Sequence, residues 1–186
     1  MKDQPYSVLD MLDHDSSAEY FAGGTVLQAF LSMLSYHRWH APISGTIRRA
    51  FVVDGTYYSV PLSQGIGNPN ITGIGVAGVG ASQAYLSSVA TRAVLLIEAD
   101  NPDIGLMAFI AIGMEEISTC DITVLEGQHV KKGEQLGMFH FGGSSYALIF
   151  REGVVLEETP DLGDFNSPNV ALRSKLAVLR TPNTQI

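Results

Sequence analysis

Two apolar runs separated by a three-residue turn constrain this chain more than any other feature. "SVATRAVLLIEAD" (88–100) and "IGLMAFIAIGM" (104–114) flank Asn101-Pro102-Asp103. Both read as strands buried on both faces, because the apolar character is continuous rather than alternating. The longest run, "GLMAFIAIGM" (105–114), falls well short of the roughly 20 residues a membrane span needs. Two such strands need a large surrounding core. The 186 residues, 46% of them hydrophobic and 16% charged, can supply one within a single domain, 1–186.

The remaining pattern is also strand-rich. "TIRRAFVV" (46–53) leads to Asp54-Gly55, a hairpin signal, and then to "TYYSVPL" (56–62). "ISTCDITVL", "EQLGMFHF" and "SYALIFRE" follow between Gly-containing turns. "TVLQAFLSML" (25–34) and "VALRSKLAVL" (170–179) fit either strand or helix, and 157–169 reads as a loop. Helix material is concentrated in "SVLDMLDHDSSAEYF" (7–21), with Ser16 and Ser17 as candidate caps and Gly23-Gly24 as the stop. The expected class is mainly β (α+β) with a few short helices. Residues 123–141, "TVLEGQHVKKGEQLGMFHF", alternate strand and Gly turn in the manner of lipoyl-type barrel sandwiches. Lys131-Lys132 there lack the flanking pattern of a carrier lysine and read as solvated turn residues.

Charge and cysteine content exclude several roles. A net charge of −8 with a pI near 4.9 offers no basic footprint for nucleic acid and little for an anionic membrane. The single cysteine, Cys120, cannot form an intramolecular disulfide and points to a reducing, cytoplasmic setting. The sequon Asn70-Ile71-Thr72 is then incidental. "GIGVAG" (73–78), with Glu98 beyond it, matches a dinucleotide fingerprint in letters only, since a turn-rich loop precedes it. Glu115-Glu116, Asp161 and Asp164 read as solvated carboxylates, so no metal site is expected. His129 reads as a surface turn residue and Cys120 as a small buried hydrophobe.

Two segments carry chemistry. "SYHRWHAPISG" (35–45) puts His37 and His40 in one tetrapeptide ahead of Pro42. Ala41 before proline favours an extended backbone, which points the two imidazoles in opposite directions. A pair of packed or surface histidines is the alternative. "FHFGGSSYALIF" (139–150) sets Gly142-Gly143-Ser144-Ser145 between two strand-like arms. Glycines there permit a strained turn. With a base to take its proton, the Ser144 hydroxyl could add to the Gly143 carbonyl. The resulting ester, after β-elimination and hydrolysis, would leave a ketone at a new N-terminus.

On these two motifs the chain resembles the pyruvoyl-dependent phosphatidylserine decarboxylase superfamily over nearly its whole length. The family's H-R-x-H-x-P-x-x-G corresponds to His37 through Gly45, and its L-G-S-T to Gly142 through Ser145. The wording "FAGGTVLQAFLSMLSYHRWHAP" and "IGLMAFIAIGMEEISTC" is most similar to the branch that includes L-tryptophan decarboxylase. The resemblance implies that family's β-sheet/barrel-sandwich fold and an autocatalytic cut between Gly143 and Ser144. The products would be a β chain, 1–143, and an α chain, 144–186, with Gly142 and Ser145 supporting the motif. Ser144 would become the covalent pyruvoyl cofactor. His40 would be the base that activates Ser144, and His37 the group that handles substrate and returns a proton after CO2 leaves.

The implied activity is decarboxylation of a free amino acid, most simply an aromatic one such as tryptophan, through a Schiff base to the pyruvoyl group. The implied partners are a small amino-acid substrate and the two cleaved chains themselves, with a homodimer as a further option. Decarboxylation of phosphatidylserine at a membrane, making phosphatidylethanolamine, is the alternative, and a non-catalytic β module is a third. The family also has an aspartate in a P-A-D-G-like motif upstream of the histidines. None of Asp3, Asp10, Asp13 and Asp15 has that context, so the chain reads as N-terminally truncated. In serine proteases, loss of the aspartate that orients the histidine costs about 10⁴ in rate. This polypeptide is therefore predicted to mature slowly or not at all: intact mass should remain that of one chain after long incubation, and prompt conversion to two chains would refute it.

Overall fold

A computed structural model describes residues 6–31, 36–57, 82–114, 119–140, 144–158 and 170–180. The strands are β1 (Thr25–Leu31), β2 (Arg38–His40), β3 (Gly45–Val53), β4 (Arg92–Ala99), β5 (Leu106–Gly113) and β6 (Cys120–Ile122). They continue with β7 (His129–Val130), β8 (Gln135–Phe139), β9 (Ser144–Phe150), β10 (Leu156–Glu158) and β11 (Ala177–Leu179). Two short helices, α1 (Val8–Met11) and α2 (Gln83–Val89), and a 3-10 turn (Ser16–Phe21) complete the described elements. The fold is mainly β, as the pattern predicts.

One antiparallel sheet of six strands, in the order β1-β9-β5-β4-β3-β7, forms the frame. Its central strands are buried on both faces, which is why they read as continuous apolar runs. Ala93, Leu95, Ile97, Met107, Phe109 and Leu148 point into one core, and Val94, Leu96, Ile110, Ile112 and Ile149 into another. The first core is closed by the three-stranded sheet β2-β8-β6 through Trp39, Leu136 and Phe139. The second is closed by the N-terminal segment through Met11, Leu12 and Phe21. At about 25 cal/mol for each Å² of apolar surface removed from water, a frame buried on both sides is the main source of stability.

The N-terminal segment is capped differently from the expectation. Ser7 caps α1 in a box with Asp10, and Asp15 caps the 3-10 turn, with Ser16 and Ser17 inside that turn. Asp13 and His14 adopt positive φ, which ends the helical run. Arg92, only 3% exposed, then ties this segment to β4. Its guanidinium donates to the carbonyls of Asp10 and Met11 at 2.7 Å and of Ala90 at 2.9 Å. It thereby satisfies the Met11 carbonyl, which α1 leaves open, and gives the Asp10 carbonyl a second donor beside the Asp13 N–H.

Other expectations are corrected. Asp54-Gly55 does not form a primed hairpin turn, because neither residue has positive φ. Instead Gly55 exchanges hydrogen bonds with the Thr91 hydroxyl, and Thr56 bridges Ala90 in parallel; residues 58–62 lie outside the described residues. Residues 123–140 do build strand, turn and strand, but the described strands close no barrel. β7 pairs with β3 in the large sheet, whereas β8 pairs with β2 and β6, so the ladder never runs round. The ambiguous 25–34 and 170–179 contain β1 and β11, and 157–158 belong to β10. Helix α2 has no counterpart in the sequence reading.

The contact that seats β2 on β8 is unusually close. A Cβ on Gly137 would lie 2.4 Å from the Asp121 carbonyl oxygen and 2.5 Å from the Trp39 ring. Gly137→Ala should therefore push Trp39 out of place and lower stability by about 1–3 kcal/mol. Trp39 is the only tryptophan, so urea unfolding followed by its fluorescence checks this; a wild-type midpoint and wild-type emission would contradict it.

Candidate active site

Ser144 opens β9, the strand hydrogen-bonded on one side to β1 and on the other to β5. Its register partners are Leu31 and Gly113. Side chains alternate along a strand, so Ser144 shares a face with Tyr146, Leu148 and Phe150, all part of or packed on the core beneath the three-stranded sheet. Ser145 faces the other way. Both serines are 0% exposed, and the Ser145 hydroxyl has no hydrogen-bond partner among the described residues. Gly142 and Gly143 lie outside the described residues.

The three-stranded sheet brings a histidine to this point. The Phe139 N–H donates to the His37 carbonyl at 3.0 Å, which continues the β2–β8 pairing by one residue. Trp39, two residues on and on the same side, is buried against Phe139 with ring centroids 4.8 Å apart. The same alternation turns His37 inward. Its ring meets Phe139 edge-on, and Nδ1 lies 3.3 Å from the Ser144 Oγ. With Nδ1 carrying the lone pair, His37 accepts the serine O–H. Residues 107 positions apart in sequence thus share one proton donor and one acceptor.

His40 goes elsewhere. The register of β2 shifts between Trp39 and His40, and the second imidazole reaches the turn between β7 and β8. His40 Nδ1 donates to the Gly133 carbonyl at 2.8 Å. Nε2 lies 2.8 Å from the Tyr36 hydroxyl, and the two rings stack with centroids 5.6 Å apart. The two histidines therefore diverge, in keeping with an extended segment. His37, not His40, is the imidazole in contact with Ser144. Tyr36 and the Gly133 carbonyl had no signal in the sequence beyond their neighbourhood, since the pairing that gathers them is long-range.

The floor of the site is aromatic. Tyr146 stacks on Phe109 at 5.9 Å, and Phe109 meets Trp39 at 6.2 Å. Burial raises the Tyr146 phenol above its ordinary pKa, so it stays neutral at physiological pH.

The remaining candidates take ordinary places. His129 is exposed and paired with Asp100 at 3.0 Å, and Lys131 and Lys132 are exposed at the β7–β8 turn. Among the described residues no group of three His, Cys, Asp or Glu side chains gathers as metal donors. No helix among them is long and apolar enough to cross a membrane. The sequon, "GIGVAG", Glu115-Glu116, Asp161 and Asp164 lie outside the described residues.

The family model described as phosphatidylserine decarboxylase matches residues 1–170. A protein named Decarboxylase iboD from Amanita muscaria is 49% identical over 81% of this chain and 44% of its own length. L-tryptophan decarboxylase from Psilocybe cubensis is 47% identical over 81% of this chain and 34% of its own length. A phosphatidylserine decarboxylase proenzyme from Bacillus thuringiensis is 29% identical over 83% of this chain and 52% of its own length. The chain thus spans about half or less of each of these relatives.

Cys120, in β6, is partly buried and poorly suited to act as a nucleophile. Burial pushes its thiol up to about 12, and its Sγ lies 3.8 Å from the Ala111 carbonyl oxygen. Because the thiolate is the reactive form, iodoacetamide at pH 8 should label Cys120 about 10²–10³ times more slowly in the folded protein than in denaturant. Equal rates by mass spectrometry would disprove its protected state.

Proposed function

Because the chain belongs to the phosphatidylserine decarboxylase family, we propose that it is the part of a decarboxylase that makes its own carbonyl cofactor from Ser144. The observation that carries this reading is the 3.3 Å contact between the buried Ser144 Oγ and His37 Nδ1. A hydroxyl with no exposure to water that follows a Gly-Gly peptide is the nucleophile an acyl shift needs once a base reaches it, and the imidazole beside it is the group the later decarboxylation needs. The serine oxygen adds to the Gly143 carbonyl carbon as a base takes its proton. The C–N bond then breaks, and the Ser144 nitrogen receives a proton. Loss of the Ser144 α-proton expels the Gly143 carboxylate and leaves dehydroalanine, and hydrolysis releases ammonia.

The residues present fit the pyruvoyl group that results. Position 144 is fully buried, next to a titratable imidazole and an aromatic floor. When formed, the group supplies the electron sink that lets an amine-bearing substrate lose CO2. His37 Nδ1, which accepts the serine O–H before scission, is placed afterwards to take up a proton and return it to the product's α-carbon. β9 is hydrogen-bonded on both sides, to β1 and β5. The cleaved chains, 1–143 and 144–186, therefore stay together as one sheet. The base role of His40 rests on the family resemblance rather than on a contact. To serve, His40 must release Tyr36 and turn toward the serine.

A free aromatic amino acid is the proposed substrate. The relatives named tryptophan decarboxylase are much closer in sequence than those named for phosphatidylserine, and an aromatic floor suits an aromatic side chain. The test uses protein whose scission has been confirmed by the mass of the fragment beginning at position 144. It should release ¹⁴CO2 from carboxyl-labelled tryptophan and not from phosphatidylserine; the opposite result favours the lipid substrate, and none with either favours a non-catalytic module. His37→Ala should still be cut but lose at least about 10² of the decarboxylation rate, whereas His40→Ala should stay uncut. If His37→Ala is the one left uncut, the contact seen here serves scission as well.

A further inference from the structure

Both ring nitrogens of His40 are occupied, and neither partner is a carboxylate. The Gly133 carbonyl can only accept a hydrogen bond, so the contact at 2.8 Å places the proton on Nδ1. In the neutral ring, Nε2 then keeps its lone pair, and the Tyr36 hydroxyl at 2.8 Å donates to it. Orienting a histidine through Nδ1–H is the task a backbone carbonyl or a carboxylate can each perform.

The carbonyl is held firmly. Gly133 has φ of +85°, a conformation that suits glycine in the turn between β7 and β8. Its N–H donates to the Ala41 carbonyl at 2.8 Å, and the Ala41 N–H donates to the Glu134 carbonyl at 2.8 Å. Two backbone bonds thus join this turn to the residue after His40. The Lys131 N–H is fixed in turn by the Glu134 carboxylate at 3.0 Å. Tyr36, in contrast, is 44% exposed and is held to His40 by its hydroxyl and its stacked ring.

We infer that Tyr36 is a positioning residue: with the Gly133 carbonyl fixing the His40 tautomer, the Tyr36 hydroxyl caps the Nε2 lone pair and must let go before His40 can take a proton. The consequence for scission rests on the proposed role of His40 as the base, but the tautomer and the cap do not. The resting state is therefore latched on the exposed side and anchored on the buried side.

Tyr36→Phe tests this directly, because it keeps the stacked ring and removes only the hydroxyl. Long-range ¹H–¹⁵N spectra of the uncut protein should show wild-type His40 protonated at Nδ1 and bare at Nε2. In Tyr36→Phe, Nδ1 should stay put while Nε2 moves to the shift of an uncapped imidazole nitrogen. Scission, followed by mass, should speed up roughly fivefold, the effect of losing one neutral competing hydrogen bond. An Nε2 shift unchanged by the substitution, a proton on Nε2 in the wild type, or scission no faster than wild type would overturn the inference. Scission too slow to follow in both proteins agrees with the slow maturation predicted from the sequence, and the nitrogen shifts alone then decide the Tyr36 cap.

Discussion

β9 lies between two strands and between two cores, and the rest of the molecule is arranged around that fact. Its backbone is paired with β1 on one side and β5 on the other, and its side chains alternate between the core under the small sheet and the core under the N-terminal segment. A strand held on four sides cannot slip by one residue without turning every side chain to the wrong core. Ser144, its first residue, is therefore fixed in position and facing. The Ser144 hydroxyl sits at the start of a strand constrained in this way, immediately after a Gly-Gly peptide.

The small sheet supplies what the large one lacks. β2 lies on β8 because Trp39 fits over Gly137, where a side chain would collide with it. That single close contact sets the depth of the HRWH segment, and alternation along it then separates the two imidazoles. His37 turns inward to Ser144, and His40 meets the β7–β8 turn. The residue just before this short strand thus meets the Ser144 hydroxyl, while the register shift within the strand hands the second histidine to a backbone carbonyl.

Much of the frame was legible in the chain. The apolar runs at 88–100 and 104–114 announced strands covered on both faces, although 88–89 belong to helix α2, and Asn101-Pro102-Asp103 announced the link between them. Burial patterns of that kind are local, because each residue type reports its own environment. Helix α2 was not legible: its polar residues Gln83 and Ser87 are buried through contacts with Gln28 in β1, and no local period marks it. The Asp54-Gly55 turn misled for a related reason. A dipeptide able to make a hairpin was drawn instead into bonds with Thr91, 36 residues away. The barrel suggested by 123–141 dissolved because its arms pair with different sheets.

For the candidate site, the letters supplied the candidates and the fold chose their partners. Ser144, His37 and His40 stand out in the sequence because glycines, serines and histidines in those spacings carry reactivity of their own. Which imidazole meets the serine, and that a tyrosine and a glycine carbonyl hold the other, could not be read there. Those relations depend on the register between β2 and β8 and on the packing of one sheet over another. Register and packing are settled by contacts between residues a hundred positions apart, whose free energy appears only when the whole core closes.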